Sequence, residues 1–387
     1  MGERITDRGW KCARYHGIID RANRKGGKDP LKYRTARPAL LMLFAGLILA
    51  LGMMAAGALR ARMLLRTALD GRRIRAQEES GITRFDLLAE TVQSQTRPRM
   101  GGWLSIVPME TVTLTVPRGR LSARMYGAVS AQEDAPWALV FHGGLGTDSL
   151  QVQDIACELS LAGYRVLTPD LYAHGESEGQ ISSLGGAEAE DVRAWVQWIM
   201  GEDEEARIVL MGQDEGALAV LTAVSAGLPD AVRAAATDSA YTDVAQRART
   251  MLTETGLPAE GLDMLLLGAA YRLANGLPMP EEMPGSIGAA AIPLLLLHGT
   301  GDQDVPAWHS EDIVLAAGKN AQLYYVEGAA HGMARYVDPQ GYYDTLIGFF
   351  DRATGKTPQP EDEPVEGGGT EAKAQTKAGA EEGGKPA

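Results

Sequence analysis

Cysteine is almost missing from this chain: two residues in 387, Cys12 and Cys157. They stand on opposite sides of a long apolar run, which argues against an intrachain disulfide, and no Cys/His spacing offers a zinc site. Cys157 falls in the mostly apolar helical stretch Ile155 to Leu161 and reads as a buried structural thiol. Positive charge is also in short supply. With 37 Lys and Arg against 50 Asp and Glu, the formal net charge is -13. That balance argues against nucleic acid as a partner, because phosphate binding requires a basic face. The shortage is uneven: the first sixty residues are basic and the remainder is acidic. Apolar residues are not scarce. At 45% of the chain they can fill a sizeable core, and a domain of about 250 residues leaves a long remainder for other roles.

That remainder lies at the two ends. Ala39–Leu59 is an uncharged run of Leu, Met, Ala and Gly without a polar stripe. About 20 such residues span the hydrocarbon of a bilayer, so the run is expected to be a transmembrane helix over 39–59. Lys and Arg crowd the preceding segment, 1–38 (Arg21, Arg24, Lys25, Lys28, Lys32, Arg34, Arg37). This predicts a cytoplasmic N-terminus and an outward-facing C-terminal domain, as a single-pass cell-membrane protein. Arg60, Arg62, Arg66, Arg72, Arg73 and Arg75 follow in the juxtamembrane segment, 60–108, and blur the bias. Ala56-Gly57-Ala58 resembles a signal-peptidase site, but the long basic extension favours an uncleaved anchor. From Ala353 onward the only large apolar residue is Val365. Such a segment cannot bury enough surface to offset its conformational entropy, so 353–387 is expected to be a disordered tail.

Between these ends, 109–352 alternates strand and helix patterns. Val112, Leu114 and Val116 alternate with polar residues, Pro117-Arg118-Gly119 turns the chain, and Leu121, Ala123 and Met125 alternate again, predicting an antiparallel opening pair. Short apolar runs follow at Trp137–Phe141, Val166–Thr168, Ile208–Met211, Val232–Ala236, Leu294–Leu297 and Leu323–Val326. Such runs fit strands buried on both faces of a parallel sheet. Val192, Trp195, Val196 and Ile199 mark one apolar helical face, and Tyr342–Phe350 a closing helix. The expected fold class is α/β, a doubly wound, mostly parallel sheet. About 242–287 is long enough for a small helical cap. Met251, Leu252, Leu262, Met264, Leu265, Leu266 and Leu267 there either line an apolar pocket or pack the segment on the core.

Ligands of such sheets bind at the carboxyl ends of the strands. Asp214 stands in Gly212-Gln213-Asp214-Glu215-Gly216, directly after one apolar run and before the helical run Ala217–Ala223. Small flanking residues permit the tight strand-to-helix turn that exposes a nucleophile. Asp302 follows the run Leu294–Leu297, and His331 follows Leu323–Val326. The order nucleophile, acid, histidine permits His331 to act as general base with Asp302 fixing its tautomer; Asp304 is the rival acid. Backbone N–H groups of Gly144 and Glu215 are candidates for an oxyanion hole, while His142 reads as structural.

From about Thr111 to Asp351 the chain resembles the α/β-hydrolase superfamily. The resemblance rests on His142-Gly143-Gly144, the stretch Pro169 to Gly179, Asp238-Ser239-Ala240-Tyr241, His298-Gly299 with Asp302 and Val305-Pro306, and His331-Gly332. It is similar above all to bacterial membrane-anchored members with serine-peptidase-like or esterase-like domains. The resemblance implies the α/β-hydrolase fold and a lipolytic, esterase or peptidase activity on small molecules, with no cofactor. One departure falls on the central residue: the family's elbow carries Ser, and here Asp214 precedes Glu215. Asp at this point resembles the haloalkane dehalogenase and epoxide hydrolase branch, in which a carboxylate attacks saturated carbon. In that branch a Trp usually follows the Asp, or paired cap tyrosines assist; Tyr241 and Tyr271 are the candidates here.

Two functions follow. In the first, the protein hydrolyses small ester, acyl or alkyl substrates through Asp214, His331 and Asp302. In the second, it is a catalytically retired member that binds or senses a ligand. Adjacent carboxylates at Asp214 and Glu215 are expected to raise one another's pKa and blunt the nucleophile, which favours the second; the retention of both Asp302 and His331 favours the first, which is the leading expectation.

Overall fold

The computed structural model describes residues 30–72, 99–129, 134–144, 147–280, 287 and 291–356. The basic segment before residue 30, much of the juxtamembrane segment and residues 357–387 lie outside the described residues. The described chain falls into two compact units. One holds the first helix up to Ala68 with Met251–Pro278; the other holds Leu69–Thr250 and the chain from Met279.

In the first unit, helix α1 spans Pro30–Leu69. It begins before the expected span and continues beyond Leu59, because Ala, Arg, Met and Leu through 60–69 are strong helix formers and nothing there breaks the turn. Leu40 to Leu59 is exposed almost throughout. Among the described residues α1 is the one helix long and apolar enough to cross a membrane.

The second unit is built on an eight-stranded sheet ordered β1-β2-β4-β3-β5-β6-β7-β8. Its strands are β1 (Met109–Val116), β2 (Gly119–Tyr126), β3 (Trp137–Phe141), β4 (Arg165–Pro169), β5 (Ile208–Gln213), β6 (Val232–Asp238), β7 (Leu294–Gly299) and β8 (Ala321–Val326). β1 pairs antiparallel with β2, and β2 with β4; β4, β3 and β5 to β8 run parallel. The helices are α2 (Gln153–Leu161), α3 (Ala189–Glu202), α4 (Glu215–Ser225), α5 (Val244–Glu254), α6 (Leu262–Asn275), α7 (Trp308–Ala317), α8 (Ala334–Val337) and α9 (Pro339–Thr354). Of these, α6 and the end of α5 belong to the first unit.

Successive side chains of a strand face opposite ways, so each central strand serves two cores. Trp137, Leu139 and Phe141 join α3 and α4 in one apolar cluster; Ala138 and Val140 join α2 and α9 in the other. Val192, Trp195, Val196 and Ile199 form the buried face of α3. This two-sided burial is why β3, β5 and β7 read as continuous apolar runs. β8 departs from that reading: as an edge strand it is only partly buried. The tail boundary also shifts. Thr354 is buried, its carbonyl accepts from Arg207 at 2.6 Å, and Lys356 donates to the Ala162 carbonyl, so the chain through Lys356 belongs to the domain.

Candidate active site

The carboxyl ends of β5, β7 and β8 bring together Asp214, Asp302 and His331. Asp214 is the residue between β5 and α4, with φ 47° and ψ -107°. A side chain held at positive φ is strained, which is the backbone signature of a nucleophile elbow. Its flanks leave no room for larger residues. A Cβ on Gly212 would lie 2.4 Å from the Gly216 carbonyl oxygen, and one on Gly216 would lie 2.5 Å from that of His142.

His331 donates from Nδ1 to Asp302 Oδ2 at 2.8 Å, and its Nε2 faces Asp214 Oδ2 at 3.5 Å. Asp302 Oδ1 accepts from the backbone N–H of Val305 at 2.8 Å and of Asp304 at 3.0 Å. Asp302 is thus aimed at the ring by its own loop, while the Asp304 side chain is exposed. His298 spans Ser310 and the Val305 carbonyl and braces the same loop. The His331 loop is held from below: Gly332 N–H donates to Ser239 Oγ, and Ser239 in turn donates to Asp238.

Arg247, on α5, completes the site. Its Nη2 lies 3.2 Å from Asp214 Oδ2. Sequence reasoning missed it, because an Arg within Gln246-Arg247-Ala248-Arg249 looks like one more exposed helix charge. Asp214 is buried at 4% exposure, and its Oδ1 has no hydrogen-bond partner among the described residues.

The electrostatics follow from these contacts. Burial pushes the Asp214 carboxyl up, but Arg247 and then His331 outweigh it and hold it down at about 2. Burial lowers His331; Asp214 and Asp302 together overcome this and raise it to about 10. Asp302 lies below the ordinary carboxylate range: burial raises it, while His298, His331 and the Val305 N–H more than compensate. At neutral pH the site therefore reads Asp214⁻, His331⁺, Asp302⁻ and Arg247⁺, with no net charge.

The expectation that Asp214 and Glu215 raise one another's pKa is corrected for Asp214. Glu215 alone moves up, through burial, the nearby Glu188 and Asp214. Its side chain turns away from the site. Oε1 accepts from Ser182 Oγ, and Oε2 lies 3.6 Å from His174 Nε2. His174 Nδ1 faces the Tyr172 carbonyl at 3.0 Å, so Nδ1 carries the proton and a neutral ring leaves Nε2 as acceptor. A protonated Glu215 matches that acceptor.

Of the proposed oxyanion donors, the Glu215 N–H is the first of α4 and has no carbonyl of its own helix to bond. Gly144 has φ 80° and follows Gly143, where an added Cβ would lie 2.5 Å from the Asp214 Cβ. His142 is buried between Thr147 and the Leu171 N–H, and burial lowers it to about 3, as a neutral packing residue. Tyr241 donates to the Leu184 carbonyl at 2.6 Å and is not available as an acid. Tyr271 lies in the other unit. Among the described residues no cluster of His, Cys, Asp or Glu is arranged to hold a metal ion.

An eight-stranded, mostly parallel sheet with this strand-elbow-helix turn is matched from outside the chain. A family model described as the alpha/beta hydrolase fold matches residues 136–278. The chain has the α/β-hydrolase fold. An esterase from Pyrococcus furiosus superposes with a TM-score of 0.52 at 20% identity, covering 64% of this chain and 92% of the esterase. The α/β-hydrolase GrgF from a Penicillium species does so with a TM-score of 0.50 at 18% identity, covering 64% and 99%. Among curated relatives, an uncharacterized Mycobacterium tuberculosis protein is 27% identical over 263 residues, 67% of this chain and 77% of its own length. The uncharacterized protein YfhR of Escherichia coli is 25% identical over 210 residues, 54% and 67% respectively. Within this α/β-hydrolase fold, Asp214 occupies the elbow.

Proposed function

We propose that the protein is a membrane-anchored hydrolase of small alkyl-type substrates, with Asp214 as a carboxylate nucleophile. The observation that carries this reading is the division of labour on Asp214. Oδ2 is taken by Arg247 and faced by His331, while Oδ1 has no hydrogen-bond partner among the described residues. A buried, unpartnered carboxylate oxygen is costly unless it has a role.

In the first step Oδ1 attacks a saturated carbon. A carbon–oxygen bond forms, the carbon–leaving-group bond breaks, and the leaving group departs with the electron pair, giving an ester of Asp214. That ester is neutral. One of the two charges that held His331 protonated is then gone, its pKa falls, and the ring releases its proton to solvent and becomes a base. It takes a proton from water, whose oxygen attacks the Asp214 ester carbon. Arg247, the Gly144 N–H and the Glu215 N–H are the candidate stabilisers of the developing oxyanion. The intermediate collapses, the ester carbon–oxygen bond breaks and the departing alkoxide takes the proton back from His331; the Asp214 carboxyl then gives its own proton to the ring, so the carboxylate is restored with one oxygen from water. Attack on an ester carbonyl would instead give an anhydride, which makes acyl substrates the poorer choice.

Single turnover in oxygen-18 water tests this directly. One labelled oxygen should enter Asp214, and His331→Gln should accumulate the alkyl-enzyme, both read by peptide mass spectrometry. If panels of haloalkanes and epoxides leave Asp214 unlabelled, the nucleophile assignment fails. The second reading, a ligand-binding module descended from a hydrolase, is favoured by the Arg247–Asp214 pair, which damps the nucleophile. It is the outcome if ligands bind and none turns over.

The anchor belongs to the same proposal. The basic residues before Ala39 and the exposed apolar stretch of α1 support one membrane span with the hydrolase domain outside. Protease added to intact cells should release the domain, and a fully protected domain would reverse the orientation.

A further inference from the structure

Helix α6 has two apolar faces. Leu267 and Tyr271 are fully buried. On the other side Leu262, Leu265, Ala269 and Leu273 recur at i, i+3, i+7 and i+11 and fall within an arc of about 80° on a helix of 3.6 residues per turn. All four are exposed, the leucines at 69%, 73% and 88%. Three exposed leucines at helical spacing form a continuous patch rather than the scattered apolar residues of an ordinary surface.

The place where α6 meets α1 points to what covers this patch. Asp263, in the first turn of α6, accepts two hydrogen bonds from Arg60, Nε to Oδ1 at 3.0 Å and Nη2 to Oδ2 at 2.7 Å. Arg60 is the first charged residue after the apolar stretch Ala39–Leu59. One turn further along α6, Leu266 Cδ2 comes within 4.0 Å of where a Cβ on Gly57 would sit. Gly57 is inside the apolar stretch, about 4.5 Å below Arg60 along the axis. The start of α6 is therefore level with the end of the span and points back along it. Arg62 and Arg66 are exposed just beyond this junction, where lipid phosphates attract cations.

We propose that α6 lies in the bilayer interface beside the end of α1, with Leu262, Leu265, Ala269 and Leu273 against the acyl chains and the arginines among anionic headgroups. An amphipathic helix seated at the interface gains affinity from both contributions. α6 then serves as a second, peripheral membrane contact. The inference rests on the reading that α1 crosses a bilayer.

The test uses the full chain, with Cys12→Ser and Cys157→Ala, reconstituted in vesicles of phosphatidylcholine and phosphatidylglycerol. Single cysteines at Leu265, Leu273, Leu47 and Leu315 carry a nitroxide label. Collision with oxygen, which favours lipid, is compared with collision with a water-soluble nickel chelate. Leu47 lies within α1, and Leu315 is a water-facing reference, 81% exposed on α7. Labels at 265 and 273 should show an oxygen-to-nickel ratio several-fold above that at 315 and approaching that at 47. A lipid-like label at 47 with water-like labels at 265 and 273 overturns the α6 proposal alone. A water-like label at 47 overturns the span and the proposal together. Spin–spin broadening at 265 or 273 would mean that a second copy covers the face, which also overturns it.

Discussion

Arg247 and Asp214 form a buried ion pair in which Nη2 lies 3.2 Å from Oδ2, the same oxygen that His331 faces. One carboxylate oxygen thus faces two cations, and the other has no hydrogen-bond partner among the described residues. This arrangement makes Asp214 a stable anion and leaves one oxygen available for chemistry.

Removing the guanidinium should change both properties. In Arg247→Met the Asp214 carboxyl should titrate above about 2, nearer its ordinary value of 3.8. Stability at neutral pH should fall by about 2 kcal/mol, the usual order for a lost charge-assisted hydrogen bond. Alkylation of Asp214 should quicken, because a more basic carboxylate is a better nucleophile. Urea unfolding and carbon-13 NMR of labelled Asp measure these effects. Unchanged titration and stability would show that the pair does not exist in solution.

The same charges set a pH window for stability. His331 rises to about 10 in the folded protein, above about 6.5 in the unfolded chain. Its contribution is fully present below about 6.5, declines as pH rises and is gone beyond about 10. Asp214 has the opposite sign. Its folded pKa is depressed, so its contribution is present above 3.8 and is lost as pH falls through about 2. Urea midpoints should be highest between these limits, and His331→Gln should flatten the alkaline limb. An alkaline limb that persists unchanged in the variant would exclude His331 as its source.

Glu215 offers a test of protonation state. Its Oε1 accepts from Ser182 and its Oε2 lies 3.6 Å from His174 Nε2, and a neutral glutamine amide can occupy the same position. Glu215→Gln should leave the urea midpoint nearly unchanged at pH 7. Glu215→Leu should cost about 1–3 kcal/mol by removing the acceptor of the buried Ser182 hydrogen bond. A large loss in the Gln variant would mean that the folded state needs the carboxylate charge.

Asp214→Ser should place a hydroxyl beside His331 and release that ring from one of its two carboxylates. The variant is expected to hydrolyse short activated esters on which the parent is inactive. Since the Glu215 side chain points away from the site, adding Glu215→Met should bring no further gain. Initial rates on p-nitrophenyl esters decide the matter, and a dead Asp214→Ser variant that folds would count against the elbow's oxyanion donors.

Truncation separates tail from domain. Ending the chain after Lys356 should leave the thermal midpoint unchanged. Ending it after Arg352 should lower it, because Thr354 and Lys356 bond to Phe350, Arg207 and Ala162. Equal midpoints for the two truncations would show that this last turn carries no stability.

Much of the architecture was legible in the chain itself. The order of strands and helices follows from local patterning, since burial on two faces demands short apolar runs and burial on one demands a helical stripe. Asp214, His331 and Asp302 could be chosen because small residues and strand ends mark where a parallel sheet presents side chains. What remained hidden depends on residues far apart in sequence. Arg247 meets Asp214 only because α5 returns across the end of β5, and that contact decides that Asp214 is an anion rather than one of two mutually repelling acids. Glu215 adjoins Asp214 in sequence, yet the turn sends the two side chains in opposite directions, and Glu215 finds Ser182 and His174 instead. The apolar residues of α6 showed the same limit. Their sequence left open whether they line a pocket or pack on the core, and only the Arg60–Asp263 contact located their helix at the end of the apolar span. Charge states and exposed surfaces are set by through-space neighbours within a few ångströms, which local sequence does not encode.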